Sequence, residues 1–175
     1  MTYYYNNEDI LKIAGIVEES IVDGPGIRFV IFTQGCPHNC KGCHNPQTHD
    51  FNGGKDIKID EITEMIKSNP LLKGITLSGG EPFMQAKQLS ILIDKIKDSN
   101  LDIITYTGFK YEELINNSND ENSFMELLIR TDILIDGKFE EDKKDDSLMF
   151  RGSSNQRAID VKLSIQDGNI VEYEF

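Results

Sequence analysis

"RFVIFTQGCPHNCKGC" (28–43) joins an apolar run to a loop that holds every cysteine of the chain. Residues 28–34 are rich in β-branched and aromatic side chains, which is typical of a strand buried in a parallel sheet. Comparable runs occur at 74–78, 102–107 and 132–136, and segments with apolar residues at helical spacing separate them. Strands that alternate with helices indicate βα units, so the sequence predicts an α/β fold with a parallel sheet.

The length of the chain limits how these units are arranged. A complete eight-stranded βα barrel takes about 250 residues, whereas this chain has 175. We therefore predict an open, partial βα barrel that forms a single domain over residues 1–175.

The remaining elements are predicted from their local patterns. Residues 11–17 are expected to form an edge strand, and 158–175, with alternating apolar positions and an Asp-Gly turn signal, a C-terminal β-hairpin. One helix is expected to begin with Asp60 as its cap. A second helix should span 85–98, and a broken helical region should follow over 114–128.

Four polar loops that contain glycine follow the four predicted parallel strands. They carry the cysteines, "SGGEP" (78–82), "YTGFK" (106–110) and "DGKFEED" (136–142). Ligands of parallel α/β sheets bind beyond the carboxyl ends of the strands. These loops should therefore meet on one face of the molecule.

Composition and charge exclude several classes of function. The chain has 30 acidic and 18 basic residues and a net charge of −12, which argues against a nucleic-acid-binding protein. No apolar run approaches the roughly 20 residues of a membrane span. The first residues lack the basic start and apolar core of a signal peptide, so we expect a cytoplasmic protein without a membrane partner.

Three cysteines within eight residues indicate a metal, redox or nucleophilic role. An odd number of cysteines in a cytosolic chain does not make a disulfide framework. A structural zinc site needs four ligands, and the fourth would have to be His38, His44 or His49. A [4Fe–4S] cluster usually has four cysteine ligands, so three would leave one iron open to a substrate or cofactor. The spacing alone leaves both metals open.

The sequence resembles a known family at several motifs. "CPHNCKGC" (36–43) matches the C-x₃-C-x₂-C signature of radical S-adenosylmethionine (SAM) enzymes, and "DGPGIRFVIFTQGCPHNCKGCHN" (23–45) is similar to the glycyl-radical-enzyme activases. "LSGGEPF" (77–83), "YTGFKYEEL" (106–114) and "DILIDGKFEEDKKDDSLMFRGSSNQR" (132–157) resemble the activating proteins of anaerobic ribonucleoside-triphosphate reductases. The resemblance covers most of residues 15–157.

This resemblance implies a cofactor set and a reaction. Cys36, Cys40 and Cys43 would be the metal ligands and the catalytic residues, holding three irons of a [4Fe–4S] cluster, with SAM on the fourth iron. One electron would cleave SAM, and the 5′-deoxyadenosyl radical would take a hydrogen atom from a glycine of the reductase large subunit. A flavodoxin or a ferredoxin-type protein would supply the electron.

The resemblance also implies which residues bind SAM. Gly79 and Gly80 are expected at its ammonium group, because neither carries a Cβ and backbone groups can approach closely. Glu81 is expected to contact the same ammonium. Gly42 and His44, on either side of Cys43, are expected near the adenine. The cofactor-binding set is completed by Tyr106, Asp136 and Lys138.

Two further segments and several alternatives belong to the same interpretation. Residues 23–28 should lie at the mouth that receives the partner's glycyl loop, and 151–157 should hold that loop or SAM. A pyruvate formate-lyase-type activase and a radical SAM enzyme with a small-molecule substrate are the nearest alternatives. A structural zinc-binding protein is the distant one.

Overall fold

A single mixed sheet organises the protein. The structure is a computed structural model and describes residues 7–175. The strands are β1 (Ile10–Ser20), β2 (Arg28–Thr33), β3 (Lys55–Lys58), β4 (Gly74–Gly79), β5 (Asp102–Tyr106), β6 (Ile133–Asp136) and β7 (Arg157–Asp160). The α-helices are α1 (Ile59–Ser68), α2 (Ala86–Ile96), α3 (Tyr111–Asn116), α4 (Phe124–Leu128) and α5 (Val161–Asp167). The strand order is β3-β1-β2-β4-β5-β6-β7.

The four predicted parallel strands are confirmed and lie side by side. β2 pairs with β4, β4 with β5, and β5 with β6, all parallel. β1, β3 and β7 are antiparallel to their neighbours, so the sheet is mixed rather than wholly parallel. The carboxyl ends of β2, β4, β5 and β6 consequently meet at one edge, where the four polar loops begin.

The two faces of the sheet are covered differently. One face presents residues such as Phe29, Ile31 and Leu77 to the helices, and together they form the main apolar core. Each such fully buried side chain contributes roughly 1.5–3 kcal/mol of transfer free energy. The opposite face carries a smaller cluster, which includes Ile104 and Ile135, against which Tyr173 and Phe175 pack. Loops, rather than helices, cover this second face.

Arg28 fixes one of these loops beneath the sheet. Its side chain is fully buried, and its guanidinium donates to Thr76 Oγ1 at 2.7 Å and to the Ile75 carbonyl at 2.7 Å. It also pairs with Asp102 at 2.6 Å. Thr76 in turn donates to the Asp23 carbonyl at 2.7 Å. The loop between β1 and β2 is therefore held against the second face.

The predicted C-terminal hairpin is wrong over residues 161–167, which form α5 instead. Its two ends do meet, because Ile159 in β7 forms an antiparallel bridge with Glu172. Asp160 accepts a hydrogen bond from the Leu163 N–H at 2.8 Å and caps the helix, and Gly168 ends it in the left-handed conformation. Val161 is buried, whereas Leu163 is 47% exposed. The alternating apolar pattern was thus a weaker signal than the Asp and Gly that bracket the helix.

Two other local predictions need correction. β1 is not an edge strand, because β3, which the sequence did not predict, pairs along its outer side. Asp60 does not cap α1, since Lys58 occupies the cap position and makes no side-chain cap. Asp60 lies in the first turn and pairs with Lys95 instead. The helix at 85–98 and the broken helical region are confirmed as α2, α3 and α4.

In the part of the chain that the structure describes, every helix is too short or too polar to cross a bilayer.

Candidate functional site

The four polar loops line one cavity of about 500 Å³, as their predicted placement on one face requires. The wall contains residues from the ends of β2, β4, β5 and β6 and from the loops at 22–23 and 150–156. The sequence-predicted residues in the wall are Cys36, Cys40, Cys43, His44, Gly79, Gly80, Tyr106 and Lys138. Chain topology therefore brings together residues that lie up to about a hundred positions apart.

Three free, half-buried thiols lie in this wall. Burial raises the pKa of Cys36 from its ordinary value of 9.0 to about 11, and burial also raises the pKa of Cys40. Lys138 opposes the second shift, because its positive charge favours the Cys40 thiolate. A thiol in such surroundings stays protonated at neutral pH unless a bound cation stabilises its thiolate.

The donor set fits an iron–sulfur cluster. Among residues 7–175, no three histidine, cysteine or acidic side chains are grouped closely enough to hold a single metal ion. In a [4Fe–4S] cluster each thiolate binds a different iron, so the thiols surround the cluster instead of meeting at one point. A zinc ion would need four converging ligands. His38, one of its three candidate fourth ligands, is already bonded to Glu81.

Gly79 and Gly80 are in the wall, but their absent side chains make room for the protein's own backbone. Gly79 has φ +96°, and a Cβ there would lie 2.6 Å from the backbone of Phe32. A Cβ on Gly80 would lie 2.5 Å from the Gly35 carbonyl oxygen. The loop after β4 can therefore press against the loop after β2, which places both glycines beside the cysteines.

Glu81 has a different position from the one the sequence suggested. It is fully buried and does not line the cavity, so direct contact with an ammonium group is not supported. Its carboxylate accepts hydrogen bonds from Thr107 Oγ1 at 2.8 Å and from the Gly108 N–H at 2.8 Å. It also accepts from the Phe83 N–H at 3.1 Å and meets His38 Nε2 at 2.7 Å. One carboxylate thus joins three of the four loops.

His38 is the part of the cysteine loop that reaches this carboxylate. It lies between Cys36 and Cys40, its side chain is 6% exposed, and its ring packs edge-on against Phe109 at 4.5 Å. Gly108 leaves room for this ring, because a Cβ at that position would lie 2.3 Å from His38 Cδ2. No local sequence pattern predicts this contact, because Glu81 and Gly108 lie 43 and 70 positions away from His38.

Two other predicted cofactor residues also lie outside the cavity wall. Gly42 adopts φ +74° and faces Glu141 and Phe139, so its conformation explains the glycine without any contact to a base. Asp136 is 1% exposed and accepts from Arg157 Nε at 2.9 Å and from the Tyr111 N–H at 2.8 Å. Both residues support the loops that form the wall.

Tyr106 and His44 keep their places in the wall. The Tyr106 hydroxyl donates to the Phe150 carbonyl at 2.8 Å, and burial raises the pKa of this tyrosine. The His44 ring lies 4.9 Å from the ring of Phe139. The wall therefore contains both aromatic and polar groups, as is typical of small-molecule sites.

The structure adds wall residues that the sequence interpretation had passed over. They include Phe32, Ser78, Thr107, Phe139 and Phe150. His49 Nε2 and Arg151 Nε are buried without a hydrogen-bond partner in the described part of the chain, and both residues line the cavity. Buried polar atoms normally have a partner. These two are therefore available to a bound ligand.

Comparison with known proteins places the chain among proteins of one description. Residues 22–159 match the family model "4Fe-4S single cluster domain". The anaerobic ribonucleoside-triphosphate reductase-activating protein of Escherichia coli is 36% identical over 144 residues, which covers 78% of this chain and 90% of that protein. Those of Pasteurella multocida and Haemophilus influenzae are 36% and 34% identical, each covering 78% of this chain and 89% of the relative.

The chain also has matches among solved structures. QueE from Escherichia coli aligns with a TM-score of 0.44 and 16% identity over 57% of this chain and 52% of that one.

Proposed function

The chain belongs to the family of anaerobic ribonucleoside-triphosphate reductase-activating proteins, and on that premise we propose that Cys36, Cys40 and Cys43 hold its [4Fe–4S] cluster. The convergence of these three free thiols on one cavity supports this assignment. The protein is a radical SAM oxidoreductase, and its partner is the anaerobic ribonucleotide reductase.

When bound, the cluster supplies the electron that cleaves SAM, a reaction that ends in the loss of a hydrogen atom from a glycine of the reductase. The chain's own residues bind, orient and shield the reactants, as in other enzymes whose cofactors supply the chemistry. Phe32, Phe139 and Phe150 give the cavity apolar walls that reduce the access of water.

SAM is assigned to the cavity beside the cysteines. Gly79 and Gly80 offer backbone groups in the wall, and Tyr106 and Lys138 offer polar side chains at the ends of β5 and β6. His49 Nε2 and Arg151 Nε are the wall's unpartnered polar atoms. We assign them to polar groups of SAM, because a ligand that meets them removes the cost of leaving them unbonded.

Two finer features complete the proposal. The electron comes from a flavodoxin or a ferredoxin-type protein.

The sheet forms a partial βα barrel, and the cavity lies at the carboxyl ends of its parallel strands, where such folds bind ligands. Helices on one face and loops on the other support this view.

The decisive experiment is anaerobic reconstitution followed by activation of the reductase. We expect about four irons and four sulfides per chain, formation of 5′-deoxyadenosine under a strong reductant, and a glycyl-radical EPR doublet on the reductase large subunit. Cys36→Ala, Cys40→Ala and Cys43→Ala should each abolish the doublet. A folded, reconstituted chain that produces no 5′-deoxyadenosine would contradict the proposal.

The nearest alternatives differ only in the substrate. Replacing the reductase subunit with pyruvate formate-lyase, or with small molecules alone, should give no radical on the added substrate. A doublet on pyruvate formate-lyase at the same rate would favour the other activase class.

A further inference from the structure

Two loops beside the cavity display apolar side chains to solvent. In the loop after β1, Ile21 is 76% and Val22 is 74% exposed, the highest values among the large hydrophobic residues in the described part of the chain. In the loop before β7, Met149 is 55% exposed. Val22 and Phe150 each line the cavity, so both apolar pairs adjoin its wall.

Hydrogen bonds and close packing fix the conformation of the first loop. Ser20 Oγ donates to Asp23 Oδ2 at 2.5 Å, and the Asp23 carbonyl accepts from Thr76 Oγ1 on β4. Gly24 has no room for a Cβ, which would lie 2.5 Å from the buried side chain of Arg28. The exposure of the apolar pair therefore belongs to an anchored loop, not to a loose one.

The second loop is anchored in a comparable way. Phe150 has φ +55°, a conformation that costs roughly 1–2 kcal/mol for a residue other than glycine. Its carbonyl accepts from the Tyr106 hydroxyl at 2.8 Å, and its ring contacts Phe175 at 4.8 Å. Strained backbone that the surroundings hold in place is a common feature of binding sites.

The reaction itself limits what can recognise the substrate. A glycine has no side chain, so an activase can identify it only through the residues on either side. Exposed apolar side chains next to a reaction cavity suit apolar neighbours, since such contacts give most of the binding energy at protein interfaces. Ile21, Val22 and Met149 are exposed, whereas Phe150 is half-buried and lines the cavity. The two pairs adjoin the cavity on separate loops.

We propose that Ile21, Val22, Met149 and Phe150 form an apolar rim that docks the glycine-bearing segment of the reductase large subunit through apolar residues flanking the glycine. This inference rests on the proposed function. These four side chains make no hydrogen bond to the cysteines or to Glu81. They would determine which partner binds, and selection would take place at the mouth of the cavity.

The test uses the reconstituted protein and the intact large subunit. Ile21→Ser combined with Met149→Ser removes apolar surface at two residues that do not line the cavity. Isothermal titration calorimetry with SAM present should show binding weakened roughly tenfold. The subunit concentration that gives half-maximal glycyl radical should rise by a similar factor, whereas 5′-deoxyadenosine formation without partner should stay unchanged.

Two further variants control for the substitutions. Ile129→Ser alters a residue that is 57% exposed directly after α4, on the helical side, and should bind like the wild type. Ile21→Leu with Met149→Leu should also bind normally, because apolar surface is retained. A synthetic peptide spanning the partner's glycine should compete for binding, and its counterpart with serine at the flanking positions should not.

The rim is refuted if the double serine variant binds the subunit within about twofold of the wild type, or if Ile129→Ser weakens binding equally. The proposed function fails separately: wild-type protein that binds the subunit but forms no 5′-deoxyadenosine would contradict the chemistry, and the binding comparison would still decide the rim.

Discussion

Replacing Glu81 with glutamine should destabilise the protein, because the amide cannot satisfy the donors that the carboxylate satisfies. Glu81 Oε1 accepts from the Thr107 hydroxyl and the Phe83 N–H, and Oε2 accepts from the Gly108 N–H and faces His38 Nε2. In Glu81→Gln one of these two oxygens becomes an NH₂ donor.

Neither orientation of the amide restores the network. With the nitrogen on the first side, the Thr107 hydroxyl can turn and accept, but the Phe83 N–H loses its acceptor. With the nitrogen on the second side, His38 can present its unprotonated nitrogen, but the Gly108 N–H faces another donor. One buried backbone N–H is left unsatisfied in each case, at a cost of roughly 1–3 kcal/mol.

Equilibrium urea unfolding of the metal-free protein measures this cost directly. The free energy of unfolding should fall by roughly 1–3 kcal/mol, and the thermal midpoint by about 2–4 °C for each kcal/mol in a chain of this size. Glu113→Gln is the matched control. Glu113 is exposed, and its carboxylate accepts from the Lys110 N–H at 2.8 Å in the helix-capping box, where glutamine serves equally well.

The cysteine loop supplies a second readout. Since His38 ties that loop to Glu81, Glu81→Gln should speed the loss of iron from the reconstituted protein in the presence of a chelator, whereas Glu113→Gln should not. An unfolding free energy within about 0.3 kcal/mol of the wild type would refute the reasoning, because it would mean that solvent reaches the carboxylate.

Two further substitutions and one labelling experiment test the architecture. Gly108→Ala places a Cβ 2.3 Å from the His38 imidazole and should lower the free energy of unfolding in urea by roughly 1–3 kcal/mol. Gly15→Ala, with no atom within 4 Å of its new Cβ, should change it by less than about 0.5 kcal/mol. Equal effects would contradict the close contact. Arg28→Met removes a fully buried guanidinium and should cost roughly 3 kcal/mol by the same measurement, and Arg130→Met, at an exposed ion pair, less than about 1 kcal/mol. In the metal-free protein, burial keeps the Cys36 thiol protonated, and its alkylation by iodoacetamide can be followed by peptide mass spectrometry. The alkylation rate should reach half its maximum near pH 11 and not near pH 9. A midpoint near pH 9 would show that the thiol is solvated.

Much of the fold could be predicted from local patterns. Parallel strands were predicted at 28–34, 74–78, 102–107 and 132–136, because a strand buried on both faces has a continuous apolar run. The structure has them at 28–33, 74–79, 102–106 and 133–136. The C-terminal hairpin was predicted wrongly over residues 161–167, since Ile159, Val161, Leu163 and Ile165 alternate as a strand does; only β7 and its bridge from Ile159 to Glu172 are extended. Burial decides otherwise, because only the first two are covered and the capping Asp160 favours a helix.

The chemistry can be recognised from local features of the sequence. Three cysteines in eight residues, glycines after buried strands and the motifs up to residue 157 are local features, and each can be recognised without knowing what lies opposite it. Together they resemble one family, and that resemblance implies a [4Fe–4S] cluster and SAM.

The role of each residue around that centre depends on the folded arrangement of the chain. Glu81, Gly42 and Asp136 support the wall instead of lining it, and His38 reaches Glu81 across 43 positions of sequence. These roles depend on which loops the strand order 2-4-5-6 places side by side. A pattern of residue types cannot specify that, because contact between distant positions depends on the packing of the whole sheet and its helices.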